Sequence, residues 1–341
     1  MKIVVFGAGG FVGGWLCEEL AGRRDVELVP CVRNWSSAAR LARRGLQVTR
    51  VDLEETTSNL TMLSEADVVV NASKPAKREP DIAVRVYSAC ATARVRKFIQ
   101  LSSIAIYGDQ TGNINEDTSP APTNEYGRDK TEMETRLLAA ASPSGPQLFI
   151  LRPSIIYGPF SDNWTIRYAR RIAKGRWRSL GWAGGGSCNL VHCQDVVKSI
   201  ILASQTEAES RSYVMNINGP EVISWNEYID RFGKALAVDD LKRMSPFAFS
   251  VTSLSVDCIR KTGSWVKRHG FQRVMQTVPT VKETAQSAVD LYPTPDELHL
   301  WRQKVCFSWE RARNVLGFRP SITVDEGLRQ SAEWCHTHGI V

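Results

Sequence analysis

The segment EYGRDK places Tyr126 and Lys130 four positions apart. On a helix these positions share a face, so the ammonium can reach the neighbourhood of the phenol. A nearby cation favours the phenolate, and Tyr126 could then give and recover a proton near neutral pH. The plainer alternative is a helix carrying one exposed lysine and one half-buried tyrosine. YxxxK recurs by chance, so a chemical reading needs a hydroxyl partner and a bound reagent.

The reagent is suggested at the start of the chain. In GAGGFVG, Gly7, Gly10 and Gly13 directly follow an apolar strand and open a helix. The first glycine permits the tight turn, the second lets backbone N–H groups approach a pyrophosphate, and the third lets helix and strand pack closely. This strand–turn–helix setting points to a dinucleotide. The end of the second strand selects between dinucleotides, because an acid there would bond a ribose 2′-hydroxyl. The chain reads PCVRNWSSAAR, with no acid, Arg33 at the tip, and Ser36, Ser37 and Arg40 following. A guanidinium matches a 2′-phosphate, so NADP is the preferred cofactor and NAD a possible one.

Positioning these residues requires alternating strands and helices. Strands are read at 2–8, 26–33, 46–53, 66–73 and 97–103, with helices at 10–23, 36–45 and 81–96. Such alternation implies an α/β fold, a doubly wound parallel sheet covered on both faces, and the near-continuous apolar runs suit strands buried on both sides. After LFILRPSIIYG (148–158) the rhythm changes, while 189–204 and 213–219 read as a return to the sheet. The expected division is a dinucleotide-binding domain at 1–160 and 189–218, with a smaller, discontinuous substrate-binding or lid region at 161–188 and 219–341. Residues 238–305 are irregular and basic.

The net charge of +7 suits phosphate-bearing ligands. We read no signal peptide and no run long enough to span a membrane, and eight scattered cysteines without a CxxC read as reduced thiols of a cytoplasmic protein. Cys335, His336 and His338 in CHTH read as a terminal helix, with no metal site. RYARRIAKGRWR (167–178) is densely basic. It is either a solvated helix face or a contact for substrate pyrophosphate. An acidic membrane surface is the lesser reading, which the stretch 259–271 around Trp265 would share. Nucleic acid is set aside for want of interleaved aromatic residues or a surrounding module.

With GAGGFVG, LSSIAIYG, EYGRDK and LRPSIIYGP in this order, the chain resembles the extended short-chain dehydrogenase/reductases, most closely their nucleotide-sugar epimerase and reductase branch. NEDTSPAPTNEYGRDKTEME, NLVHCQDVV, NINGPEVISWNEYI and SWERARNVLGFRPSITVDEGL extend the resemblance over nearly the whole chain. It implies a Rossmann-type fold in which Tyr126 is the proton donor and acceptor. Lys130 would hold the ribose and tune the phenol, and Ser103 would hydrogen-bond the same substrate oxygen. It further implies cofactor contacts at Gly7, Gly10, Phe11, Val12, Gly13, Asp52, Leu53, Asn71, Ala72 and Pro153, and a substrate contact at Asn163. The implied substrate is a nucleotide-diphosphate sugar, reduced as a keto-sugar or epimerised through a transient ketone.

The resemblance also implies a homodimer built on the helices beginning near Asp81 and Tyr126, burying Val84, Tyr87 and Leu137. Two departures stand out. SIA at 103–105 replaces the Thr-Asp-Glu of the 4,6-dehydratases, which sets dehydration aside, and Arg85 stands where a cofactor-fixing Asn is often found. A flavonol- or steroid-type NADPH ketone reductase and a non-catalytic NADP-sensing protein are the alternatives.

Overall fold

The computed structural model describes residues 1–55, 60–74, 78–174, 181–207, 209–238 and 295–341. Arg176, Arg178, Cys258, the stretch around Trp265 and most of the basic 238–305 segment lie outside the described residues.

Strand β1 (Lys2–Phe6), helix α1 (Phe11–Ala21), β2 (Glu27–Val32), a one-turn α2 (Ala39–Ala42) and β3 (Thr49–Arg50) form one wing of a seven-stranded sheet. The other wing holds β4 (Val68–Asn71), α3 (Glu79–Thr92) and β5 (Lys97–Leu101). Beyond β6 (Gly112–Ile114), which pairs outside this sheet, come α4 (Glu125–Ala140) and β7 (Gln147–Pro153). The sheet order is β10-β7-β5-β4-β1-β2-β3, with β10 at Ser212–Ile217. Its strands run parallel, as the alternation of elements required. The third strand is two residues long, shorter than the run 46–53 suggested. The segment 148–158 divides: β8 (Ile155–Tyr157) leaves the sheet and pairs with β9 (Ser187–His192).

Alternate side chains explain the apolar runs. Ile3 and Val5 of β1 join one core cluster with Val68 and Val70, while Val4 and Phe6 join the other with Val69. On the first face lie Leu16 and Leu20 of α1 together with Val197 and Ile200 of α5 (Cys193–Gln205). On the second lie Ile82 and Val86 of α3 with Met133 and Leu137 of α4. Each such side chain contributes on the order of 1.5–3 kcal/mol when buried.

The strand order reverses between β1 and β4, which sit side by side. Phe6 is in register with both Cys31 and Asn71, and Asn71 with Gln100. The residues that follow, Gly7, Val32, Ala72 and Leu101, therefore emerge together at the carboxyl edge. Open α/β sheets bind their ligands at such a switch point.

Two compact units divide the chain: residues 1–161, 189–221 and 305–327, and residues 162–188, 222–304 and 328–341. Residues 305–327, grouped with the second region by the sequence reading, belong to the first unit. Within the second, Tyr168, Trp225, Tyr228 and Trp301 pack around one another, and Arg171 is buried with Glu297 at 2.8 Å.

Candidate active site

The cleft at the switch point encloses about 420 Å³. Gly7, Gly9, Gly10, Phe11 and Val12 line it from the first turn; Arg33, Asn34 and Ser37 from the end of β2; Asp52, Leu53 and Glu54 from beyond β3; Ala72, Ser73 and Lys74 from beyond β4; and Leu101 from β5. Gly7 has φ +80°, and a Cβ there would stand 2.5 Å from the Ala72 carbonyl oxygen. A Cβ on Gly13 would stand 2.2 Å from the Gly7 carbonyl oxygen, so that glycine packs helix on strand and lies outside the lining. Gly10 caps α1 with no side-chain oxygen of its own, which leaves the first N–H groups of the helix to a ligand. This cradle, which side chains would fill, fits the pyrophosphate of a dinucleotide.

Asn71 is buried beneath the cleft rather than in its wall. Its amide donates to Gln100 Oε1 (2.9 Å), and its carbonyl accepts from Ser73 Oγ (2.6 Å). Pro153 ends β7 in register with Ile217, also outside the lining, and Asn163 is exposed in the second unit. Arg85 donates to the Leu53 carbonyl, tying α3 to the wall where the adenine contact is expected. Cys31 lines the cleft too, but burial pushes its thiol up to about 12, so no thiolate stands there.

Helix α4 begins at an Asn124 cap, whose side chain accepts from Gly127 N at 2.8 Å. Ser103 caps the following turn (Ile104–Tyr107), accepting from Ala105 N at 3.2 Å. Gly127 brings the two together: a Cβ there would meet the Ala105 carbonyl oxygen at 2.5 Å. A glycine in the first turn of a helix is a readable hint of such close packing. Lys130 is buried, with its Nζ donating to Glu79 Oε1 (2.6 Å) and to the Leu101 carbonyl (3.1 Å), and lies 5.7 Å from the Tyr126 ring centre. Lys74 Nζ lies closer to that ring, at 4.9 Å. Tyr126 itself is 38% exposed. One helix turn below Lys130, buried Glu134 binds Arg152 of β7 and Ser102, fixing α4 to the sheet. Since Lys74 and Leu101 also line the cleft, the tyrosine helix and the glycine cradle share a boundary.

Sequence reading missed Glu79, Glu54 and Lys74. Arg33 does stand in the cleft, but its Nη1 lies 3.3 Å from Glu54 Oε1, so β3 delivers the acid that the end of β2 lacks. Arg40 is withdrawn: it binds Glu18 through two nitrogens at 2.8 and 2.9 Å and lies 3.8 Å from the Phe160 ring centre. In the basic stretch, Arg170 and Lys174 are exposed, whereas burial with Glu297 takes Arg171 out of both leading readings, solvated face and phosphate contact. Tyr87 and Leu137 lie in the chain's own core, with Tyr87 donating to the Pro146 carbonyl, so neither can be the dimer contact expected of them. Among the described residues no helix is long and apolar enough to cross a membrane.

A doubly wound sheet with this cradle, and with Ser103, Tyr126 and Lys130 near its carboxyl edge, is the arrangement expected of an extended short-chain dehydrogenase/reductase. Residues 3–217 match the NAD dependent epimerase/dehydratase family, and the chain belongs to it. The UDP-glucose 4-epimerase of Vibrio cholerae is 27% identical over 350 residues, covering 97% of this chain and 94% of its own. The 2-alkyl-3-oxoalkanoate reductase of Stenotrophomonas maltophilia is 23% identical over 350 residues, covering 97% and 98%. The fold matches that of UDP-glucuronic acid 4-epimerase from Bacillus cereus in complex with NAD, with a TM-score of 0.74, 18% identity and 99% of both chains covered.

Proposed function

We propose that the protein is a nicotinamide-dinucleotide enzyme acting on a nucleotide-activated sugar, either reducing a keto-sugar or epimerising a carbinol carbon through a transient ketone. The observation that carries this reading is the shared boundary of the glycine cradle and the Tyr126–Lys130 face at Lys74 and Leu101. When bound, the dinucleotide supplies or takes up hydride at its nicotinamide C4. The chain does the rest. Tyr126 moves the proton at the substrate oxygen, Ser103 hydrogen-bonds that oxygen, and Lys130, held by Glu79 and the Leu101 carbonyl, donates to the ribose. Gly7, Gly10, Phe11 and Val12 hold the pyrophosphate, and Asp52 and Leu53 the adenine. Arg33 gives NADP the advantage while NAD remains accepted. The relative named as a UDP-glucose 4-epimerase supports epimerisation of a sugar nucleotide, whereas the one named as a 2-alkyl-3-oxoalkanoate reductase supports ketone reduction on a substrate that is not a sugar.

A thermal-shift screen of UDP-, GDP-, dTDP- and CDP-sugars, run with NAD and with NADP, tests the substrate class. A sugar nucleotide that stabilises the protein in a cofactor-dependent manner is expected; no response from any of them would sink the assignment. On the sugar so found, Tyr126→Phe should lose about 10²–10⁴-fold in turnover while keeping cofactor binding. Undiminished turnover would remove Tyr126 as the proton-transfer group, and absence of any turnover in wild type would favour the sensor. Nicotinamide retained through purification marks an epimerase, and an empty site a reductase.

Seven free cysteines among the described residues support a reducing, cytoplasmic setting. The dimer reading passes to exposed positions of α4 such as Leu138, and light scattering showing a monomer at micromolar concentration would remove it.

A further inference from the structure

The cleft wall at the end of β2 is electrostatically divided. Arg33 is the cation among the lining residues there, beside two carboxylates, Asp52 and Glu54. Val32 is in register with Arg50, and Val51 N donates to the Val32 carbonyl at 2.8 Å, so the residues after β3 run alongside the residues after β2. Glu54 Oε1 thereby reaches Arg33 Nη1 at 3.3 Å. Glu54 N in turn donates to Asp52 Oδ1 at 2.9 Å, which holds the loop and keeps both acids on the same wall. Arg40, the other candidate for a 2′-phosphate, is committed to Glu18 and to the rings of Trp15 and Phe160.

We infer that Glu54 is a specificity-determining residue, which holds Arg33 and so limits the advantage of NADP over NAD. The inference rests on the dinucleotide reading of the cleft. A 2′-phosphate carries nearly two negative charges and needs the guanidinium face that Glu54 occupies. It must take Arg33 from Glu54 and then sit against a displaced carboxylate, and like charges placed side by side are penalised. A ribose 2′-hydroxyl makes no such demand. It donates to a carboxylate while the Arg33–Glu54 pair stays in place. The pair is half exposed, with side chains 49% and 35% accessible, so exchanging its members is feasible at the surface.

The test uses the fluorescence of NADPH and NADH, titrated into the full-length protein after charcoal removal of retained nucleotide. Wild type should bind both, with NADPH modestly tighter. Glu54→Gln keeps the shape and removes the charge. It should raise the ratio of NADH to NADPH dissociation constants by about fivefold to tenfold, almost entirely through tighter NADPH. Glu54→Asp should stay near the wild-type ratio, and Arg33→Ala should bring the two cofactors level. Binding of both cofactors with a Glu54→Gln ratio within about twofold of wild type would overturn the role of Glu54 and leave the cleft assignment standing. Binding of neither cofactor to wild type would overturn both.

Discussion

Two ion pairs lie at or beside the cleft, and they are built differently. Lys130 and Glu79 meet at 2.6 Å with side chains 6% and 9% accessible; Arg33 and Glu54 meet at 3.3 Å with side chains 49% and 35% accessible. The first pair has a second anchor, the Leu101 carbonyl, and sits where water screens little. The second is screened and can trade partners. The difference would suit the two tasks proposed for them. Under that proposal a lysine that orients a ribose would need to be in place before the ligand arrives, whereas an arginine that recognises a 2′ substituent would need to be able to release what it holds.

The largest effect should come from breaking the buried pair on one side only. Glu79→Ala leaves the Lys130 ammonium buried without its counter-ion, a change that typically destabilises by about 3–5 kcal/mol. Denaturant unfolding should show that loss, and Lys130→Met in the same chain should recover much of it, because the stranded charge is then gone. If Glu79→Ala unfolds like wild type, the pair is not fixed and the contrast collapses.

Burial without a close counter-ion gives the next effect. His192, 1% accessible, has its imidazole lowered to about 4; burial is the main cause, and Asp195 and Glu326 pull weakly the other way. The folded chain therefore holds this side chain neutral, while the unfolded chain protonates it near 6.5. Stability from His192 is complete above pH 6.5 and falls away as the pH drops toward 4, by up to about 3 kcal/mol. Unfolding free energies measured at intervals from pH 7 to 4 should show this slope, with a shallower one in His192→Asn. Parallel slopes would mean that burial is not setting the protonation of this group.

These contrasts also mark what the sequence could disclose. The sheet was legible because each of its central strands is buried on both faces and so reads as an apolar run; Val68–Asn71 shows this in four residues. The cradle was legible because its glycines answer to local geometry alone. Tyr126 and Lys130 were legible because helical spacing sets their proximity. Glu79 lies 51 residues from Lys130 and Glu54 lies 21 from Arg33, and their pairing depends on how α3 seats on α4 and on the β2–β3 register. No local pattern encodes either. The same holds for Arg171, whose place in a dense basic run hid a buried ion pair with Glu297, and for Arg40, taken by a glutamate of α1.

The docking of α4 offers an intermediate effect. Gly127→Ala would improve helix propensity by up to about 1 kcal/mol. Its Cβ, however, would stand 2.5 Å from the Ala105 carbonyl oxygen and 3.0 Å from Pro122 Cβ, so the Ser103 turn must shift. Overpacking of this kind costs about 1–3 kcal/mol, and we expect net destabilisation together with a fall in turnover as Ser103 moves relative to Tyr126. A Gly127→Ala protein as stable and as active as wild type would show that the helix and the turn are not held by this contact.

The smallest effect tests the exposed half of the comparison. Pairs as accessible as Arg33–Glu54 contribute about 0–1 kcal/mol, because water and salt screen them and two long side chains must be ordered to form them. Glu54→Ala should therefore unfold within about 1 kcal/mol of wild type, and the residual difference should vanish in about 1 M salt, where screening acts over roughly 3 Å. Its effect should appear in cofactor choice instead, with stability and selectivity separated as they are not at Glu79. A stability loss above about 2 kcal/mol that persists in high salt would mean that Glu54 braces the strand ends as firmly as Glu79 braces Lys130. Arg33 could then not be released to a ligand, and the division between a fixed pair and an exchangeable one would have to be abandoned.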